Sequence, residues 1–290
     1  VQYASMNTPG NKFRDAIADN KPLMVVGAIN AYCAKMAEKS GHKALYLSGA
    51  GVANASFGLP DLAITTLNDV AEDSRRITQA TNLPLLIDID TGFGGAFSIS
   101  RTIKEMIAAD VAAVHIEDQV TQKRCGHRPN KSLVDKIEMT DRIKAAVDSR
   151  TDESFFIMAR TDSYASEGMQ GAIDRCNEYI SAGADGLFLE AVSSLEDYKQ
   201  LKDALQVPLL ANITEFGKTP LFSAQELASV GVDIMLFPLS AFRAMNKAAE
   251  SVYIDIAENG SQVNSVEKMQ TRDELYEYLN NNSLEKTKEQ

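Results

Sequence analysis

The sequence predicts a closed parallel (β/α)8 barrel, and three observations carry that reading. Short apolar runs alternate with helix-forming stretches about eight times along the 290 residues. Nearly every apolar run ends in polar or charged residues, as barrel strands do at the face that holds the chemistry. The first strand-to-helix turn lacks the phosphate-binding glycine fingerprint that would open a doubly wound sheet, the competing architecture.

In chain order, Val1–Ser5 ahead of Met6 stay outside the fold reading, and a polar lead follows. Residues 22–28 form an apolar run bounded by turn formers, too short for a helix and suited to a buried strand. Comparable strands are expected at 44–47, 85–90, 112–117, 155–160, 186–190, 208–212 and 233–237. Helices are expected between them at 31–41, 67–81, 98–109, 136–149, 172–183, 194–205 and 223–231, several ending at glycine. Residues 241–259 and 271–280 add more helix than closing a barrel requires, so 241–280 is read as a C-terminal helical extension of one domain spanning 1–290. The last residues, 280–290, are polar and expected to fray.

A hydrophobic content of 44% can fill a sizeable core. No run is long and apolar enough to span a membrane, and no signal-peptide pattern opens the sequence. Cys33, Cys125 and Cys176 show neither disulfide nor zinc spacing and fit a reducing, cytoplasmic setting. A net charge of -11 disfavours nucleic acid or an anionic membrane as partner.

The strand ends supply Tyr46 and Ser48, then Asp88 and Asp90, then His115, Glu117 and Asp118. Further along come Arg160 and Asp162, Glu190, and Asn212 and Thr214. Side chains alternate along a strand, so Asp88 and Asp90 share the axial face while Ile87 and Ile89 meet the helices. Two like charges buried side by side need a cation. With Asp61 and Glu117 they make an all-oxygen set suited to Mg²⁺ or Mn²⁺. The alternative is that these acids pair with Arg160, Lys123 or helix N-termini and hold no metal. His115, one layer below Glu117, reads as a hydrogen-bonded core residue. The Gly92–Gly95 run and the P-loop-like 212–219 stretch, which has asparagine where the first glycine belongs, claim no nucleotide.

The loop Lys123-Arg124-Cys125-Gly126-His127-Arg128-Pro129-Asn130-Lys131 gathers five basic or potentially basic side chains around one thiol. Nearby cations favour the thiolate. The alternative is a solvated basic loop with an incidental cysteine.

Lys123-Arg124-Cys125-Gly126-His127 resembles the signature of the isocitrate lyase superfamily, which includes phosphoenolpyruvate mutase. With residues 128–131 attached, it is similar to the 2-methylisocitrate lyase branch. The likeness continues through 46–49, 58–61, 115–119, 159–162, 212–217 and 238–243, nearly the whole chain. It departs at Leu189, where a proline is common, and in a Gly94-Gly95-Ala96 segment one residue shorter than in some relatives.

The resemblance implies a Mg²⁺-dependent carbon–carbon lyase that splits 2-methylisocitrate, a small tricarboxylate, into pyruvate and succinate in propionate breakdown. Asp88 would bind the metal directly, with Asp61, Asp90 and Glu117 around it, partly through water. Ser48, the backbone of Gly49 and Ala50, and Arg160 would hold the pyruvate end. Gly126, His127, Arg128, Glu190, Asn212 and Thr214 would hold the succinate end. Cys125 is the candidate acid, in a loop with Lys123 and His127; the base stays open, with Tyr46 and metal-linked carboxylates as candidates. By strand parity Phe188, Leu236 and Pro238 would form an apolar wall beside the substrate methyl. A homotetramer exchanging C-terminal helices is implied as well. The alternatives are isocitrate cleavage, oxaloacetate decarboxylation or phosphonate chemistry on the same barrel, and a non-catalytic ligand-binding barrel.

Overall fold

A computed structural model describes residues 7–123 and 131–280. Eight parallel strands follow one another around a closed barrel: β1 (Leu23–Gly27), β2 (Ala44–Leu47), β3 (Leu85–Asp88), β4 (Ala113–Glu117), β5 (Phe156–Thr161), β6 (Gly186–Leu189), β7 (Leu209–Asn212) and β8 (Ile234–Phe237). Closure comes from β8 pairing with β1, Leu236 opposite Val25. All eight expected strands are present. The largest boundary difference is at β3, which stops at Asp88 because Asp90 turns to φ +49°. The Asp90 carbonyl still accepts the Glu117 N–H at 2.9 Å, so the tail of β3 stays tied to β4.

Alternation along each strand builds two separate cores. Leu85, Ile87 and Ile89 face outward with Val114, Ile116, Ile157 and Leu187, packing on the helices. Leu86, Met158, Phe188, Leu210 and Leu236 face the axis and fill the barrel. The inward positions one step further toward the C-terminal ends are Asp88, Glu117, Arg160 and Asn212, so greasy floor and polar mouth are one continuous face.

The polar lead hides a helix, Pro9–Asp19. Thr8 caps it by accepting the Asn11 N–H, and proline sits in its first turn, where a missing N–H costs nothing. Its Phe13 and Ile17 join the axial core from below, and Phe13 meets the Phe156 ring edge-on at 5.4 Å. The helix expected from 172 starts earlier, spanning Tyr164–Ser181, broken at Gly168 with φ 72°. That break and the glycine-rich 168–171 stretch mask the periodicity of its first turns.

The C-terminal extension consists of a helix, Ser240–Asn259, 3₁₀ turns at Val263–Lys268 and a helix, Arg272–Leu279. The last returns to the helix Ala31–Lys39 through Lys39–Glu277 at 2.7 Å and a Tyr32–Tyr278 ring contact. The helix Ser240–Asn259, in contrast, buries no residue. Beside its start, the outward face of β1 is left open, with Met24 44% exposed. Among the described residues, no helix is long and apolar enough to cross a membrane.

Candidate active site

The mouth of the barrel opens into a cavity of about 470 Å³. Tyr46, Ser48 and Ala50 line it from the end of β2, Asp88 from β3, and Asp61 and Lys123 from the flanking loops. Arg160, Phe188, Glu190, Asn212 and Thr214 follow around the wall, and Leu236 and Pro238 close the circle at β8. Sequence reasoning therefore brought together residues from six strand ends and two loops. Three of its choices stand just behind the lining: Gly49, Asp90 and Glu117. Cys125, Gly126, His127 and Arg128 lie outside the described residues.

Gly49 has a definite reason to be glycine. A Cβ there would lie 3.0 Å from Asp88 Oδ2 and 3.2 Å from Asp90 Oδ1. Its N–H instead donates to Asp88 Oδ2 at 3.3 Å, at the start of a short helical turn (Gly49–Gly51) capped by the Ser48 hydroxyl. The other Asp88 oxygen accepts the Asp90 N–H at 2.9 Å. Asp88 is thus held by two backbone donors and opens toward the cavity.

Charge is concentrated here. Lys123 Nζ lies 2.7 Å from Asp61 Oδ1 and 2.6 Å from Asp90 Oδ1. Burial alone would lower the Lys123 pKa, but Asp90, Asp88, Glu117 and Asp61 together raise it well above the usual range. Burial, and then the neighbouring Asp88, push Asp90 up to about 7. Burial would raise Asp88 too, yet the charges of His115, Lys123 and Arg160 bring it below the ordinary aspartate value. His115 itself is pushed down to about 4 by burial and is neutral at pH 7. Lys123 and Arg160 are therefore the cations that keep Asp88 ionised there. Glu117 is fully buried and its pKa is driven well up by desolvation. Among the described residues, neither Glu117 oxygen makes a hydrogen bond; Arg160 Nε approaches Oε2 at 3.3 Å. The pairing of these acids with Lys123 and Arg160, weighed above as the alternative to metal, is present. Among the described residues, no three acidic, histidine or cysteine side chains converge on one point as direct metal ligands.

His115 is the core residue expected. Its Nε2 is 2.8 Å from the Tyr46 hydroxyl, its Nδ1 is 3.7 Å from Asp88 Oδ1, and its ring is T-shaped to Phe188 at 5.1 Å. Tyr46 is buried, and burial followed by Asp88 lifts its pKa well above the ordinary phenol, so it stays protonated. Arg160 spans the centre: its guanidinium reaches Glu117, Asp162 and Glu190 and lies 5.0 Å from the Phe188 ring centroid. Asn212 donates to both Glu190 oxygens, at 3.2 and 3.4 Å.

The cavity also has walls that sequence reasoning did not assign: Asn54, Pro60, Leu62, Leu239 and Arg243. Pro60 and Arg243 sit inside stretches that carry the family resemblance, a usable signal. Asn54 belongs to the π-helical turn Val52–Ser56, and nothing in the sequence marks it as functional.

Fold and site together define a (β/α)8 barrel enzyme whose chemistry centres on buried carboxylates beside an arginine. The chain belongs to the phosphoenolpyruvate phosphomutase family, whose model matches residues 13–257. It is 60% identical over 284 residues to a 2-methylisocitrate lyase of Vibrio cholerae serotype O1, covering 96% of this chain and 92% of that protein. It is 57% identical over 277 residues to a 2-methylisocitrate lyase of Escherichia coli strain K12, covering 95% and 94%. The crystal structure of 2,3-dimethylmalate lyase, described as a PEP mutase/isocitrate lyase superfamily member, superposes with a TM-score of 0.89 at 34% identity, covering 97% of this chain and 94% of that one.

Proposed function

We propose that this chain is a cytoplasmic, Mg²⁺-dependent lyase that cleaves 2-methylisocitrate into pyruvate and succinate. The observation that carries the reading is the composition of the 470 Å³ cavity. An arginine, hydroxyls and amides stand ready for carboxylates on its sides, and Phe188, Leu236 and Pro238 offer apolar surface to a methyl group. The two relatives named 2-methylisocitrate lyase match over nearly their whole length, which supports the same substrate.

Asp88 would hold the metal, with Asp61, Asp90 and Glu117 arranged around it. The residues fit: all donors are hard oxygens, Glu117 has two buried oxygens without hydrogen bonds among the described residues, and Asp90 resists a second negative charge without more cation nearby. When bound, the cation supplies Lewis-acid stabilisation of charge on the keto-acid product.

The rest falls to the protein. Arg160, Ser48 and the Gly49 and Ala50 backbone grip the pyruvate end; Glu190, Asn212 and Thr214 serve the succinate end with Gly126, His127 and Arg128. The substrate hydroxyl passes its proton to a base, for which Tyr46 and the carboxylates of the metal site are the candidates, and becomes the ketone of pyruvate. The electron pair of the breaking carbon–carbon bond moves to the succinate carbon, and the Cys125 thiol protonates it. Tyr46 stays a phenol, so it is not a standing phenolate base, and its hydroxyl lies 2.8 Å from His115 Nε2.

A homotetramer completes the reading. The helix Ser240–Asn259 buries nothing of its own, while a 470 Å³ apolar cleft beside β1, lined by Met24, Val26, Cys33, Met36 and Phe237, lies uncovered among the described residues. Helices exchanged between copies would fill both needs. The assay that tests the function measures pyruvate released from 2-methylisocitrate with Mg²⁺, after EDTA, and after re-addition. Release only with the metal is expected; no release under any of these conditions overturns the proposal.

A further inference from the structure

We propose that Asp162, fixed from behind by Asp118, is the positioning residue that aims Arg160 at the keto-acid end of the substrate. The inference rests on the lyase reading, in which Arg160 binds that carboxylate.

Arg160 is a long cation among three carboxylates, and only one of them grips it as a fork. Its Nε donates to Asp162 Oδ2 at 2.9 Å and its Nη2 to Asp162 Oδ1 at 3.2 Å. Glu117 and Glu190 each offer a single oxygen, at 3.3 and 3.1 Å. None of these contacts uses Nη1. A bidentate pair fixes the guanidinium plane, whereas single contacts allow it to rotate. Without the Asp162 charge the guanidinium would settle toward Glu117 or Glu190, and the plane presented to the cavity would change.

Asp162 is 1% exposed and does not line the cavity, so it has no direct use there. Its place is set from outside the barrel. The Asp162 N–H donates to Asp118 Oδ1 at 3.0 Å, and Asp118 Oδ2 accepts from the Thr161 hydroxyl at 2.6 Å and the Tyr179 hydroxyl at 2.8 Å. Arg175 stands beside that carboxylate at 3.5 Å, itself anchored by Glu167 and the Val134 carbonyl. The helix Tyr164–Ser181 thus holds a fully buried aspartate whose function is to set two residues at the end of β5. Lys131, the first described residue after the 124–130 stretch, adds an ammonium 2.7 Å from Asp162 Oδ1.

A purely structural reading is weaker because the fork joins residues two apart on one strand end. The ties that join distant parts of the chain are Asp162's others, to Lys131 and through its N–H to Asp118, so the fork itself is the contact that serves Arg160.

The test uses the isosteric variants Asp162→Asn and Asp118→Asn in the full-length protein. Calorimetry gives pyruvate and succinate dissociation constants, thermal melts report the fold, and steady-state kinetics separate KM from kcat. Asp162→Asn should weaken pyruvate binding about tenfold, the scale of one lost charge-assisted hydrogen bond. KM should rise with it, while succinate binding stays within about twofold; the melting temperature falls, because the buried Arg160 and Lys131 lose a counter-charge, and binding is compared well below the melt. Asp118→Asn should reproduce the pattern at smaller amplitude, separating an indirect effect from direct contact. Unchanged pyruvate affinity in Asp162→Asn, or equal loss of both products along with the melt, overturns the inference. A wild-type protein that binds neither product removes the lyase reading and this inference together; normal wild-type binding with unchanged variants removes this inference alone.

Discussion

Lys123 Nζ stands 2.6 Å from Asp90 Oδ1, and both side chains are almost completely withdrawn from water. The ammonium also touches Asp61, so one monovalent cation serves the acids that are proposed to surround a divalent one. Removing one member of a buried pair leaves uncompensated charge, a cost on the order of 3–5 kcal/mol. Lys123→Met should therefore lower the melting temperature of the metal-free protein. The loss should be small at pH 5, where Asp90 can take up a proton, and larger at pH 8. Added Mg²⁺ should recover much of it. A melt that is unchanged at pH 8 in EDTA would show that the pair carries no weight.

Two buried groups give opposing pH slopes in the absence of metal. Asp90 is raised to about 7 in the folded protein. Between its unfolded value near 4 and that value, the folded state holds the proton that the unfolded state has lost, so stability falls as pH rises. His115 is lowered to about 4 from an unfolded value of about 6.5. In that window the unfolded state holds the extra proton, and stability rises with pH. The two nearly cancel between about pH 4 and 6.5. Asp90→Asn removes one slope and leaves the other, so the variant should melt progressively lower as pH falls through that window. Parallel melting profiles for wild type and variant in EDTA would contradict this account.

Phe13 closes the lower end of the barrel, and its burial gives a direct stability test. Phe13→Ala should cost about 3–5 kcal/mol, the usual range for emptying a buried aromatic site. Denaturant unfolding measures it, and a loss under about 1 kcal/mol would show that the helix Pro9–Asp19 is not part of the core.

This helix also marks where the sequence stopped being readable. Its apolar residues are few and its stretch is dominated by polar side chains, so only the barrel it plugs makes Phe13 and Ile17 meaningful. The strands were legible because all-parallel strands are buried on both faces and stand out as apolar runs. The acid cluster was legible for a different reason: strand parity alone places Asp88 beside Leu86 on the axial face. Parity says nothing about residues past a strand end, however. Asp90 turns at φ +49°, and its lysine partner comes from a loop distant in sequence, so the Lys123 pairing could be raised as an alternative but not located. Asp118 was visible as a polar strand end, yet its outward aim and its grip on Asp162 depend on the helix behind it.

The cysteines should differ sharply in reactivity. Burial raises the Cys176 thiol far above its ordinary value, with Asp118 adding to it, and burial raises Cys33 as well. Neither offers a thiolate at neutral pH. Mild alkylation followed by peptide mapping should label Cys125 first and abolish turnover, with succinate protecting it. Cys125→Ser should still bind product while losing about a hundredfold or more in rate, the scale of a positioned proton donor. First labelling at Cys33 or Cys176, or full turnover in Cys125→Ser, would move the acid elsewhere.

The methyl group separates the two nearest substrates. Phe188 lines the cavity, with its ring T-shaped to His115 and its face under the Arg160 guanidinium, at the end proposed for pyruvate. Leu236 pairs in register with Asn212 and lines the same cavity, and Pro238, just past the end of β8, lines it too. In 2-methylisocitrate the carbon destined to become the pyruvate ketone carries a methyl; in isocitrate it carries hydrogen. Filling an apolar wall with one methyl is worth roughly 1–3 kcal/mol, or about 10–200-fold in kcat/KM. A preference of that size for 2-methylisocitrate is expected from the unmodified enzyme. Leu236→Thr should shrink it by bringing a hydroxyl to the wall, and Phe188→Trp by crowding the methyl. If these side chains serve only the barrel core, both variants will lose stability with the substrate ratio unchanged. Equal kcat/KM for the two substrates in the unmodified enzyme would remove the methyl pocket and put isocitrate cleavage first.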